Sequence, residues 1–180
     1  YRVITCTPGL HKYLSRYHKN QILLIPNGSS DNDLEILSGF EKHEKIFCPN
    51  EIIVVCAGKF SEYGRSHVRN VLKKLSVYAD QKNKNIYLKI IGCNYKENEW
   101  LFDVEMHRIK IDLVKRLERN DLFFEIKNAD MGINIVRNPN YDLGTKVFDY
   151  IACGVPIFNY FERENNYTIF FKDYFHNSST

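Results

Sequence analysis

Two short stretches of the chain bring together residue types able to hold a phosphate. The first is Gly58-Lys59, directly after the apolar run Glu51-Ile-Ile-Val-Val-Cys-Ala57. The second is Asp142-Leu-Gly-Thr-Lys146, which enters the apolar stretch Val147-Phe-Asp-Tyr-Ile-Ala-Cys153 and leaves it through Gly154-Val-Pro156. The spacing predicts a helix over 145–153, with Thr145 as N-cap, Lys146, Val147 and Phe148 in the first turn, and Phe148, Ile151 and Ala152 facing a sheet. The first N–H groups of a helix lack intrahelical partners and sit at the positive end of its dipole, so they favour an anion, and Gly144 lets a phosphate approach the backbone. Lys146 adds a full positive charge. Asp149, three residues further on, shares that face near the rim and away from the core, where a carboxylate can accept hydrogen bonds from a ribose diol. Taken alone, Lys146 and Asp149 also fit an ordinary surface ion pair on a capped helix. Gly58 and Lys59 shift the balance, because they supply a second glycine and a second cation at a facing strand end.

Placing those loops requires strands and covering helices in alternation. The pattern predicts a strand over 2–7, then a helix over 8–19 with Pro8 at its first position and Leu10, Tyr13, Leu14 and Tyr17 on one face. A short strand over 21–26 closes on Pro26-Asn-Gly28, strong turn chemistry. Residues 27–50 read as a polar connector with a short helix over 34–40. From 51 onward the alternation is regular: strand 51–57, helix 65–81 on Val68, Val71, Leu72, Leu75 and Tyr78, and strand 85–92. There follow a short helix over 98–106, a half-covered edge strand over 108–114 and a helix over 121–129. Strand 131–136, a turn at 138–141, the helix over 145–153 and a strand over 155–160 complete the series. Strands that are continuous apolar runs, separated by helices, belong to an open and mostly parallel α/β sheet with helices on both faces. Ligands of such sheets bind at the carboxyl ends of the strands, where both phosphate-suited loops fall.

Bulk properties narrow the classes. A chain of 180 residues can bury a real core as one domain, alone or with part of another, and its 25 basic and 22 acidic residues leave a net charge of only +3. That charge is spread along the chain, so no nucleic-acid surface is indicated. Cys6, Cys48, Cys56, Cys93 and Cys153 are widely spaced and form no Cys-x-x-Cys pair, which suits buried thiols in a reducing compartment. Asn-x-Ser/Thr matches at Asn27, Asn166 and Asn177 would matter only in a secreted protein. No apolar run approaches the ~20 residues of a membrane span and no signal peptide precedes Tyr1, so a cytoplasmic location is expected. The opening strand with nothing before it reads as the start of a piece cut from something longer. The basic, tyrosine-rich segment 8–19 suits a solvated face, or a weak membrane-surface contact.

In order and spacing, "RVITCTPGL", "LLIPNGSS", "IIVVCAGKF", "YLKIIG", "NADMGINIV" and "GTKVFDYIACGVPIF" resemble the group-1 retaining glycosyltransferases of the GT-B fold. The resemblance runs from the first residue to about 160, and its most specific part is the closing Thr/Lys/acidic/Gly-x-Pro motif. It implies two facing Rossmann-like domains. Residues 1–25 would be the tail of an acceptor-binding N-terminal domain, 26–50 the linker and approach, and 51–180 a donor-binding domain cut short at its C-terminal end. It also implies Lys59 and Lys146 as the catalytic cations on the donor diphosphate, and Gly58, Gly144 and Thr145 as donor-binding residues. Asp149 would hold the ribose hydroxyls. The partners implied are a nucleoside diphosphate sugar and an acceptor glycan or lipid-linked sugar, with no cofactor and no metal. The chain departs from the family at Tyr141, where a glutamate is usual, with Asp142 one position away as the nearest substitute. Tyr63-Gly64 followed by Arg65 replaces the Lys-Gly of the family's first loop. Transfer by this chain alone is not expected, since the acceptor half would be missing.

Other classes fit less well. Asp31-Asn-Asp33 has the Asp-x-Asp form of metal-dependent glycosyltransferases, but its Ser/Asn-rich setting is that of turns and caps. Of the histidines (11, 18, 43, 67, 107 and 176), His11 and His18 alone have helical spacing and read as surface residues. A receiver-like signalling domain needs an acidic strand end where Gly92-Cys93-Asn94 stands. A non-catalytic nucleotide-binding module and a GT-B nucleotide-sugar epimerase remain as alternatives, the latter needing a carboxylate pair that the sequence does not assign.

Overall fold

A computed structural model describes residues 2–18, 21–40 and 50–176. β1 (Val3–Thr5) and β2 (Ile22–Leu24) form a small parallel pair connected through α1 (Pro8–Leu14). The start of α1 follows from sequence: Pro8 takes the first helical position and Thr7 Oγ1 accepts the Leu10 N–H at 3.2 Å. The helix ends well before residue 19, at a point where the Ser15 hydroxyl donates to the His11 carbonyl at 2.7 Å and the chain passes into a turn. α2 (Asp31–Ser38) begins three residues earlier than the pattern predicts, because Ser30 and Asp33 form a reciprocal capping box. Residues 41–49 of the predicted linker, with His43 and Cys48, lie outside the described residues.

The main sheet is built from β3 (Glu51–Ala57), α3 (Arg65–Lys82), β4 (Asn85–Ile91), α4 (Tyr95–Asn98), β5 (Ile109–Val114), α5 (Arg119–Lys127) and β6 (Met131–Gly132). α6 (Lys146–Ala152) and α7 (Asn166–Phe170) follow. The four strands are all parallel in the order β5-β4-β3-β6, with Glu51 opposite Asn85, Ile86 opposite Ile109 and Val54 opposite Met131. Alternation within the central strands feeds two cores. Val54, Cys56, Ile86, Leu88 and Ile90 pack with Val68, Leu72 and Leu75 of α3, whereas Val55, Ala57 and Ile91 pack with Phe123, Ile126, Val147 and Tyr150 of α5 and α6. Val68, Leu72 and Leu75 are fully buried, and at about 1.5–3 kcal/mol per apolar side chain removed from water their stripe outweighs the weak helix propensity of valine.

Three further predicted elements differ. The strand over 131–136 is regular only in β6, although the Ile133 N–H still donates to Val55 O at 2.8 Å. The strand over 155–160 does not form: only Ile157 bridges, between Gly132 and Phe175, and beyond it the Tyr160 hydroxyl bonds inward to Asn134 O and Val136 N. In place of a helix over 98–106 there are α4 and a 3₁₀ turn, Glu99–Asp103, pinned where the buried Trp100 indole donates to Ser61 Oγ at 3.0 Å. Cys56 is buried and Cys93 and Cys153 are half-buried, but Cys6, one residue beyond β1, is exposed. The four described cysteines are free. No helix among the described residues is long and apolar enough to cross a membrane.

Candidate functional site

Gly58 leaves the end of β3 with φ +95°, a conformation that favours glycine, and its N–H donates to Ile91 O at 2.7 Å. The loop that follows is held by Glu62, whose carboxylate accepts the N–H groups of Phe60 and Asn94 at 2.8 Å and the Asn98 amide at 3.2 Å. Burial opposes its charge, but these donors prevail and keep the carboxyl below the usual range. Lys59 emerges exposed from this anchored loop, with its ammonium 6.0 Å from the Tyr63 ring centroid. The Arg137 guanidinium lies 5.7 Å from the same ring. Burial and the neighbouring Asp142 push the Tyr63 phenol up, against the pull of Arg137.

The second loop is shaped by buried polar groups. Asn134 donates from Nδ2 to Leu143 O at 3.0 Å and to the Tyr167 hydroxyl at 3.2 Å. Gly144 has φ +66° and presses against that amide, so that a Cβ would stand 2.6 Å from Asn134 Nδ2. Asp142 turns onto its own loop, accepting the Gly144 N–H at 2.8 Å. Thr145 occupies the N-cap position of α6 but makes no side-chain cap, because its backbone is already helical (φ −85°, ψ −30°) rather than extended.

α6 is rotated from the predicted phase. Val147 and Tyr150 are its buried apolar residues, while Phe148, Ile151 and Ala152 are only half-buried. The deciding feature is Gly132, whose missing side chain admits the Tyr150 ring; a Cβ there would be 2.6 Å from ring carbons. The Tyr150 hydroxyl, fully buried, accepts the Ala57 N–H at 2.8 Å and donates to Ile133 O at 2.9 Å. It thereby stitches α6 to the residue before Gly58, and the two loops become neighbours: a Cβ on Gly58 would lie 3.9 Å from Lys146 Cγ.

The same rotation turns Asp149 inward, contrary to the expected rim position; the residue is 6% exposed. Its Oδ1 accepts from Arg119 Nη2 at 2.8 Å, and its Oδ2 from Arg119 Nη1 at 3.2 Å and Lys146 Nζ at 3.1 Å. Arg119 Nε donates in turn to Asp33 Oδ1 at 2.9 Å. Asp33 therefore serves as a cap and an ion-pair partner, and no group of acidic, His or Cys residues among the described residues is arranged to hold a metal ion.

The structure thus brings Gly58, Lys59, Gly144, Thr145 and Lys146 to two adjacent loops, commits Asp142 to the loop backbone and buries Asp149 beneath them. Tyr141 points its ring edge-on toward Tyr13 of α1 at 6.1 Å, and its carbonyl accepts the Thr7 hydroxyl at 2.9 Å. Sequence reasoning missed Arg137, Asn134 and Arg119. The signals were a cation at the end of an apolar run, an asparagine inside it, and an arginine at the dipole-disfavoured start of a helix. An open cavity of about 1230 Å³ lies elsewhere, beside α3, bounded by His67, Lys74, Tyr78, Phe158, Glu162 and His176.

A parallel sheet with helices on both faces defines a Rossmann-like α/β unit of the kind that makes up half of a GT-B fold. The chain is similar to the crystal structure of WaaG, a glycosyltransferase involved in lipopolysaccharide biosynthesis, with a TM-score of 0.54 at 12% identity. The match covers 94% of this chain and 46% of that one, so the chain spans about half the length of that structure. At this identity the likeness is one of fold. No protein-family model and no curated sequence matches the chain.

Proposed function

We propose that the chain is the donor-binding half of a retaining glycosyltransferase, taking a nucleoside diphosphate sugar for transfer in glycan or polysaccharide synthesis. The observation that carries this reading is the approach of Gly58 to Lys146 at the carboxyl end of β3, which sets two glycine-containing, cationic loops side by side. As the bond to the leaving phosphate breaks, negative charge grows on the β-phosphate, and Lys59, Lys146 and the first N–H groups of α6 are the groups to meet it. The acceptor and the groups that position it belong to another domain in this reading, with residues 1–25 as that domain's tail. The likeness in fold to a glycosyltransferase of lipopolysaccharide biosynthesis supports it.

A second reading, a nucleotide-binding module without transfer, is favoured by the engagement of Asp149 with Arg119 and Lys146 and by Tyr141 turning toward α1. Calorimetric titration with UDP, GDP, ADP and their sugars tests the shared premise. One nucleoside diphosphate is expected to bind, and Lys146→Ala to weaken it by about tenfold, the cost of one charge-assisted phosphate contact. Absence of binding to the whole panel would refute both readings.

A further inference from the structure

We infer that Arg119 is a positioning residue of the phosphate-binding edge, setting Lys146 through Asp149; this rests on the donor reading above. Arg119 is the first residue of α5, the end of a helix where the dipole disfavours a cation. Its partners compensate for that position. Nε reaches Asp33 at 2.9 Å, Nη2 and Nη1 reach the two oxygens of Asp149 at 2.8 and 3.2 Å, and the guanidinium lies 4.2 Å from the Phe123 ring centroid. A planar fork can satisfy two carboxylates and a ring face together; an ammonium cannot.

The consequence falls on Lys146. Charges alternate along Asp33, Arg119, Asp149 and Lys146, and the lysine is the end member, 36% exposed beside Gly58. Asp149, with 8% of its side chain exposed, is held at both oxygens by Arg119 and shares one of them with the ammonium. Without Arg119 the carboxylate would have Lys146 as its cationic partner and could rotate toward it. The pair that Lys146 already makes with Asp149 at 3.1 Å would then be the carboxylate's one remaining ion pair and would hold the ammonium more tightly. Arg119 thus governs how far Lys146 is available to a phosphate without touching the ligand.

The test is calorimetry of the chain with UDP, GDP and ADP and with uridine, guanosine and adenosine. The wild type is compared with Arg119→Gln, Arg119→Lys, Asp33→Asn, Lys146→Ala and the Arg119→Gln/Lys146→Ala double variant. Arg119→Gln is expected to weaken the bound diphosphate about tenfold while its nucleoside changes less than about twofold, with only a minor part restored by Arg119→Lys. In the Lys146→Ala background Arg119→Gln should have no further effect. Asp33→Asn removes the charge at the far end and leaves Arg119 more fully to Asp149, so it should bind the diphosphate as tightly as wild type or tighter, and a selective weakening by this variant overturns the role even if Arg119→Gln does not fold. A loss shared equally by nucleoside and diphosphate, or one that persists without Lys146, overturns the role. If the wild type binds no diphosphate, the donor reading falls and the positioning role with it. If it binds and Arg119→Gln matches it, the positioning role alone falls.

Discussion

Tyr150→Phe is the sharpest test of how the two loops are held together. The phenol hydroxyl is fully buried between the Ala57 N–H at 2.8 Å and the Ile133 carbonyl at 2.9 Å, so the substitution strands one donor and one acceptor. The ring itself remains over Gly132, and no cavity opens larger than the lost oxygen. Each unsatisfied backbone group costs about 1–3 kcal/mol, and removing a hydroxyl that had itself to be desolvated returns part of that. The net expectation is a loss of about 2 kcal/mol, which for a chain of this length lowers the melting temperature by roughly 4–8 °C. Thermal and urea unfolding measure the loss, and amide exchange locates it: the Ala57 N–H should lose protection more than Val54 or Val55. A melting temperature within about 1 °C of wild type, with Ala57 exchange unchanged, would refute the claim that this hydroxyl joins α6 to the end of β3.

Two further outcomes follow from the loops themselves. Gly144→Ala places a Cβ 2.6 Å from the Asn134 amide at φ +66°, so it should cost more than about 2 kcal/mol in urea unfolding; a variant as stable as wild type would show that the loop is not fixed by Asn134. The hydrogen bond from Arg119, aided by Ser30 against the cost of burial, holds the Asp33 carboxyl well below the usual carboxylate range. The unfolded chain therefore binds the extra proton, and the stability from Asp33 is complete above about pH 4 and lost progressively as the pH falls below it. Melting curves between pH 7 and 2 should show the gap between wild type and Asp33→Asn narrowing in acid, and a gap constant over that range would contradict the pairing.

Much of the scaffold was legible because it depends on local periodicity. The run from Glu51 to Ala57 could be read as a strand covered on both faces, and Val68, Leu72 and Leu75 as the stripe above it. Residues 108–114 could be read as an edge strand, and β5 does end the sheet. Boundaries that rest on side-chain competition were less legible. Ser30 and Asp33 are turn formers in one context and a capping box in another, and Tyr160 spends its hydroxyl on Asn134 and Val136 instead of continuing a strand.

The sequence by itself determined the parallel α/β class and which strand ends carry glycines and cations, since both follow from residue spacing along the chain. It could not determine the rotation of α6, because Phe148, Ile151 and Ala152 make as good an apolar stripe as Val147 and Tyr150. The tie is broken by Gly132, a residue on another element, which leaves room for one aromatic ring beneath the helix. That rotation carries Asp149 inward to Arg119, and Arg119 in turn reaches Asp33 from a third segment. Only tertiary packing brings these partners together, so only the folded chain could show that the carboxylate read as a ribose acceptor is bound to an arginine.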